Sequence, residues 1–206
     1  MAGLYDVTVV TTRIAATPKA LGILAETLKG PNARGKLLGC WYCDIGALNR
    51  ILFIRGFGGE GELVKERAAL SKSDNPFGVA ELSTTMTMDT YMPFDFVAPI
   101  PQGKLGPVYE VRTYLVKPGG LAGTLDSWRK ALPVRLKMSP LVTAMHTIGG
   151  AVPRFMHIWP YPDLAARQKI RADAVKAGVW PPPGGAERLV NQFSDIYFPA
   201  AFSPLQ

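Results

Sequence analysis

The stretch VYEVRTYLVKPG, Val108–Gly119, decides how the rest of the chain is read. Tyr109, Val111, Thr113 and Leu115 alternate with Glu110, Arg112 and Tyr114, the period-two pattern of a strand with two different faces, and Pro118-Gly119 ends the run as a turn. One face asks for a core and the other for polar partners. Shifted by 104 residues, the same pattern recurs: Tyr5 falls on Tyr109, Asp6 on Glu110 and Val7 on Val111. The register then holds through Leu21 and Leu125, Leu28 and Leu132, Arg50 and Arg154, Ile54 and Ile158, Lys65 and Lys169, and Arg67 and Arg171. Beyond these the second copy gains two residues, since Tyr91 and Pro93 match Tyr197 and Pro199 at a shift of 106. The surplus is placed in the loop Trp180-Pro-Pro-Pro-Gly-Gly185. One unit is written twice.

Each copy reads strand, helix, strand, strand, helix, strand. In the first, LYDVTVVTT is a strand, Thr17-Pro18 opens a helix to about Lys29 with Thr17 as its cap, and GKLLGCWYCDI and NRILFIRGF form a hairpin about GALN. EGELVKERAALS is the second helix and LSTTMTMDTYM the fourth strand. The second copy repeats this with VYEVRTYLV, a helix from about Leu121 to Leu136, PLVTAMHTI, RFMHIWPY, a helix capped by Asp163, and QFSDIYF. The expected fold is α+β: two tandem ferredoxin-like (βαββαβ) domains, residues 1–97 and 108–206 with a linker at 98–107. An apolar sheet face needs a cover, so the two sheets are expected to pack on each other as a dimeric α/β barrel closed within one chain.

Alternation then sorts the side chains. Tyr109, Val111 and Thr113 are assigned to the helices, with Met156 and Ile158, and Glu110, Arg112, Tyr114, His157, Trp159 and Tyr161 to the barrel interior, where His146 on the neighbouring strand can join them. An acid, a base, an imidazole and three aromatics make a candidate small-molecule site. In an enzyme, His157 or Glu110 is the general base and Arg112 holds a carboxylate or enolate, while Tyr114, Trp159, Tyr161 and His146 line the substrate. The alternative is structural: Glu110 and Arg112 as a buried ion pair that sets strand register, and His157 as a satisfied core histidine. The first-copy counterparts Asp6, Thr8, Val10, Phe53, Arg55 and Phe57 are less polar, which places the site in the second copy.

Composition narrows the function classes. The net charge of +7 lies wholly beyond residue 100, because residues 1–100 carry ten basic and ten acidic side chains. Much of the excess sits on two helices, as Arg129, Lys130, Arg135 and Lys137, and as Arg167, Lys169, Arg171 and Lys176. A solvated helical face is expected, not a nucleic-acid surface, since no aromatic residues interleave the charges. Cys40 and Cys43 are the two cysteines; no second pair is present to complete a zinc site, and the strand puts them on opposite faces as core thiols. No phosphate loop, nucleophile elbow or dinucleotide fingerprint is found, so neither metal nor cofactor is expected. No apolar run is long enough for a membrane span and no leader is read at the N-terminus, which points to the cytoplasm. The apolar tail from Ile196 through Leu205 is expected to dock on its own chain or a second one, within a homodimer or larger homo-oligomer.

YEVRTYLVKPG closely resembles the first strand of NIPSNAP-family domains. The likeness continues in HIWPYPDLAARQKIR (His157–Arg171), in Trp180-Pro181 and in the terminal FSPLQ, Phe202–Gln206. The first copy is more divergent, with Arg55 and Phe57 where Trp159 and Tyr161 stand. This resemblance implies tandem domains of the dimeric α/β-barrel superfamily, whose members include cofactor-free monooxygenases, isomerases and cyclases. It equally implies a non-enzymatic interaction or adaptor protein, for which the basic helices would be the docking surface.

Overall fold

A computed structural model describes residues 3–148 and 153–206. The strands are β1 (Leu4–Thr12), β2 (Lys36–Ile45), β3 (Arg50–Phe57), β4 (Ser83–Pro93), β5 (Val108–Val116), β6 (Thr143–Thr147), β7 (Arg154–Tyr161) and β8 (Leu189–Pro199). They close into one antiparallel barrel in the order β1-β3-β2-β8-β5-β7-β6-β4. The first half therefore contributes β4-β1-β3-β2 side by side and the second half β8-β5-β7-β6, the same order at equivalent strands. The halves join at two equivalent seams, β2 with β8 and β4 with β6. Closure leaves no free sheet edge.

Four main helices lie outside the barrel: α1 (Thr17–Lys29), α2 (Glu60–Ser71), α3 (Leu121–Arg135) and α4 (Leu164–Lys176), with a single turn, α5 (Gly185–Arg188), before β8. Asp163 caps α4 as expected, its Oδ1 accepting from the Ala166 amide at 2.6 Å. Thr17 does not cap α1. It is the first helical residue, Ala16 stands at the cap, and the Thr17 hydroxyl pairs with that of Thr12 at 2.9 Å.

The sorting of faces is the main correction. Tyr5, Val7, Trp41, Ile54, Tyr109, Val111, Met156, Ile158 and Tyr197, drawn from both halves, share one cluster inside the barrel. Tyr109, Val111, Met156 and Ile158 therefore point inward, and Glu110, Arg112, Tyr114, His157, Trp159 and Tyr161 point outward, beneath the helices of the second half. An eight-stranded barrel is only wide enough to be filled by its own side chains. Bulky apolar residues fill it, and no charged group could be satisfied there. Cys40 and Cys43 fall on opposite faces, both free and buried.

The C-terminal tail docks on its own chain. Leu205 is buried in the barrel cluster, and Gln206 and Gly103 exchange backbone hydrogen bonds with the linker and tail, the Gln206 amide donating to the Gly103 carbonyl at 2.8 Å. Ile100 of the linker joins the same cluster. Linker and tail together thus stop one end of the barrel.

Candidate functional site

Glu110 is wholly buried on β5, beneath α4. Its Oε1 accepts from Arg112 at 2.7 Å, from Arg167 at 2.5 Å and from the Ser194 hydroxyl on β8 at 2.8 Å; its Oε2 lies 3.4 Å from Arg171. Arg167 and Arg171 are one turn apart on α4, so a single helical face delivers both. Burial alone would raise the Glu110 pKa, but the Arg167 hydrogen bond and the charges of Arg112 and Arg171 outweigh it and hold it at about 2. The carboxylate is thus charged at neutral pH, and its lone pairs are occupied by donors. Arg112 donates onward from Nε to the Tyr114 hydroxyl at 2.6 Å, which ties the ion cluster to the next residue along the outer face.

His157 stands across from Arg112 in the β5–β7 register and is 1% exposed. Four aromatic rings surround it: Phe155 stacked at 5.5 Å, and Tyr114, Trp128 and Trp159 edge-on at 4.9, 4.8 and 6.2 Å between centroids. The Trp159 indole donates to His157 Nδ1 at 2.6 Å, which leaves the ring proton on Nε2. Burial first, and Arg112 second, push its pKa well below 6.5, so the ring is neutral. Nε2 is buried without a partner among the described residues. A neutral imidazole offering one free N–H is the result.

Beside it lies a cavity of about 390 Å³, lined by His157, Tyr114, Phe155, Trp128 and Thr124, and by the segment from Trp180 to Leu189. The segment is the one in which the sequence repeat gains its two residues. It wraps over α3, with Trp180 edge-on to Trp128 at 4.7 Å. Arg188, at the end of α5, reaches into the same space; its Nη2 donates to the Ser127 hydroxyl at 2.7 Å and to the Pro183 carbonyl at 2.5 Å.

Of the side chains singled out from the sequence, His157 and Tyr114 line this cavity. Trp159 supports it from behind by fixing the imidazole. Arg112 and Glu110 sit one step away, joined through the Tyr114 hydroxyl. Tyr161 is buried in the same aromatic cluster without lining the cavity. His146 does not join them: its Nδ1 lies 3.2 Å from the Thr147 carbonyl and its ring is 6.2 Å from that of Phe94. Trp128, Trp180 and Arg188 were not legible from strand alternation, because they stand on a helix and a loop. The signals in this region were the proline-rich surplus at 180–185 and the family likeness at Trp180-Pro181.

The basic helices are less free than their sequence suggests. Arg129 bonds both oxygens of Asp95, at 2.8 and 2.9 Å, Lys169 bonds Asp173 at 2.7 Å, and Arg167 bonds Glu110. Arg135 is 2% exposed, lies over the Trp159 ring at 4.4 Å and donates to the Ser139 hydroxyl at 2.7 Å. Among the described residues no helix is long and apolar enough to cross a membrane.

Comparison with known proteins finds a family likeness in the second half of the chain. The NIPSNAP family profile matches residues 109–204. The Protein NipSnap homolog of Dictyostelium discoideum is 26% identical over 160 residues, covering 74% of this chain and 69% of that protein. Such a span exceeds the second half and so extends into the first. Among solved structures, an anthrone oxidase-like protein superposes with a TM-score of 0.65 at 14% identity, covering 97% of this chain and 92% of its own. A candidate monooxygenase from Lactobacillus acidophilus NCFM superposes with a TM-score of 0.62 at 11% identity, covering 98% and 95%. At such identities the likeness shows the fold.

Proposed function

For a chain that belongs to the NIPSNAP family through its second half, we propose that the outer cavity of that half binds a small planar organic molecule. The observation that carries this reading is that His157, whose buried Nε2–H has no partner among the described residues, lines an aromatic cavity. A buried donor without a partner costs about 1–3 kcal/mol, and a ligand carbonyl or other acceptor removes that cost. The cavity volume lies in the range of small-molecule sites, and its walls have the usual make-up of aromatic side chains with few polar groups. The proposal moves the site from the barrel interior to the space between sheet, α3 and the 180–189 segment.

Within an enzyme of the cofactor-free monooxygenase, isomerase or cyclase kind, this geometry favours His157 as a donor that polarises an acceptor, over His157 or Glu110 as a base. The Nδ1 lone pair is occupied by Trp159 and the Glu110 oxygens by arginines. An adaptor function through the basic helices finds less support, since Arg129, Lys169 and Arg167 are each engaged by a carboxylate of the same chain. The proposal keeps the division into two ferredoxin-like units at residues 98–107, assembly as a homodimer through surfaces other than the sheets, and residence in the cytoplasm.

Screening the purified protein against a metabolite library by thermal shift is the test. A ligand at one hundred times its Kd stabilises by about 2.7 kcal/mol, and the shift should vanish in His157→Phe. A ligand that stabilises wild type and His157→Phe equally sinks the site.

A further inference from the structure

We propose that the ligand of this cavity is an organic anion, an aromatic or otherwise planar carboxylate, and that Arg188 pairs with its charge. The inference rests on the cavity reading above and names the chemical class the cavity selects. Arg188 is a half-buried cation whose guanidinium meets a hydroxyl and a carbonyl but no carboxylate among the described residues. Its Nε is buried without a partner, as is Nε2 of His157 in the same wall. Both residues line one aromatic space, and the Arg188 guanidinium is permanently charged.

The chemistry of that space follows from what closes over it. When a ligand displaces water from the cavity, a neutral molecule would leave the guanidinium desolvated without a counter-charge, whereas a carboxylate supplies it in the planar geometry that guanidinium prefers. The neighbouring charges favour the same sign. Glu110 is shared by Arg112, Arg167 and Arg171, so the ion cluster bordering the cavity wall carries surplus positive charge. Tyr114, Trp128 and Phe155 provide flat faces for the body of the ligand. In the first half, the residue at the place of Arg188 in the repeat is Leu82, packed into an apolar cluster. The cation stands at this position in the half whose 180–189 segment lines the cavity.

Titration calorimetry with 2-naphthoate and 2-naphthamide tests the inference, because the two share a ring system and differ in charge. The expected result is binding of naphthoate at least about tenfold tighter than naphthamide, as a charge-assisted pair gives over a neutral one. Arg188→Met should abolish the preference while leaving naphthamide binding in place, and Arg188→Lys should keep part of it. Equal binding of both probes to wild type, or a preference that survives Arg188→Met, overturns the inference. If both probes bind equally and His157→Phe weakens both, the cavity reading stands and the anion inference alone falls. If neither binds wild type at millimolar concentration, both fall.

Discussion

The two halves of the barrel solve the same packing problem with opposite outcomes. On the outer face of the first half, Asp6 and Glu66 are met by Arg55 and Arg67: Arg55 bonds Asp6 at 2.8 Å and Glu66 at 2.7 Å, and Arg67 bonds Asp6 at 2.7 Å. Two acids are shared by these two bases, and the exposed Arg34 lies 3.7 Å from Glu66. On the second half Glu110 stands at the place of Asp6, but Ile170 stands at the place of Glu66 and Arg112 at that of Thr8, so one acid faces three arginines. The neighbouring space differs in the same way. Phe53 of the first half is covered edge-on by Phe77 at 5.0 Å, and Phe77 is held over α1, its carbonyl accepting from the Thr27 hydroxyl. In the second half His157 replaces Phe53 and the longer 180–185 loop stands off from it, which leaves a cavity. Over Phe53 the first copy is filled by Phe77, whereas over His157 the second is open and stands beside a more cationic cluster. Two halves with the same strand order can therefore differ in how their outer faces are filled.

The largest expected effect breaks the closed half. Arg55→Met should cost about 3–5 kcal/mol in chemical denaturation, because it takes one of two arginines from the fully buried Asp6 and the buried partner from Glu66; a loss below about 1 kcal/mol would show that the network is dispensable. Phe77→Ala should cost a similar ~3–5 kcal/mol by opening a void over Phe53. Trp180→Ala, which borders space that is already open, should cost clearly less. Equal losses in the two variants would erase the distinction between filled and open halves.

Acid sharpens the comparison from the side of the second half. Glu110 has a folded pKa of about 2, depressed below that of the unfolded chain, so its contribution is complete above roughly pH 4.5 and is lost as pH falls toward 2. The amount at stake is on the order of 3 kcal/mol. Urea denaturation at pH 6 and pH 2.5 should show wild type losing more stability than Glu110→Gln over this window, and parallel losses would refute the assignment.

His157→Phe rebuilds the first half's arrangement within the second. It removes one orphaned donor but strands the Trp159 indole, so stability should stay within about 1 kcal/mol while ligand binding falls at least about tenfold. A variant that binds as well as wild type would detach His157 from the site. The smallest effect concerns assembly. Since linker and tail stop the barrel from within, removal of the residues after Pro199 should lower Tm by exposing the end of the core, and light scattering should show the same homodimer before and after. A full-length chain that is strictly monomeric at micromolar concentration contradicts the dimer.

Much of this was legible in the chain. The repeat paired Asp6 with Glu110 and Arg67 with Arg171, and the structure brings each acid to its arginine. That the acid faces the second helix of each unit, on which Arg67 and Arg171 stand, emerges only from these contacts. Alternation alone could not say so. It separates two faces without telling which is inside, and here both are buried, one by the opposite strands and one by helices. The inverted assignment of Tyr109 and Glu110 came from that ambiguity.

What the sequence determined by itself is the series of elements, their recurrence at a 104-residue shift and the partition of side chains between two faces, because period, turn residues and that shift are local properties written along the chain. What only the tertiary structure decided is which face meets the helices, that Trp128, Trp180 and Arg188 converge on His157, and that Phe77 fills the matching space in the other half. These depend on barrel width and on how far a loop reaches across a helix. Such distances arise between segments remote in sequence, and only the closed barrel sets them.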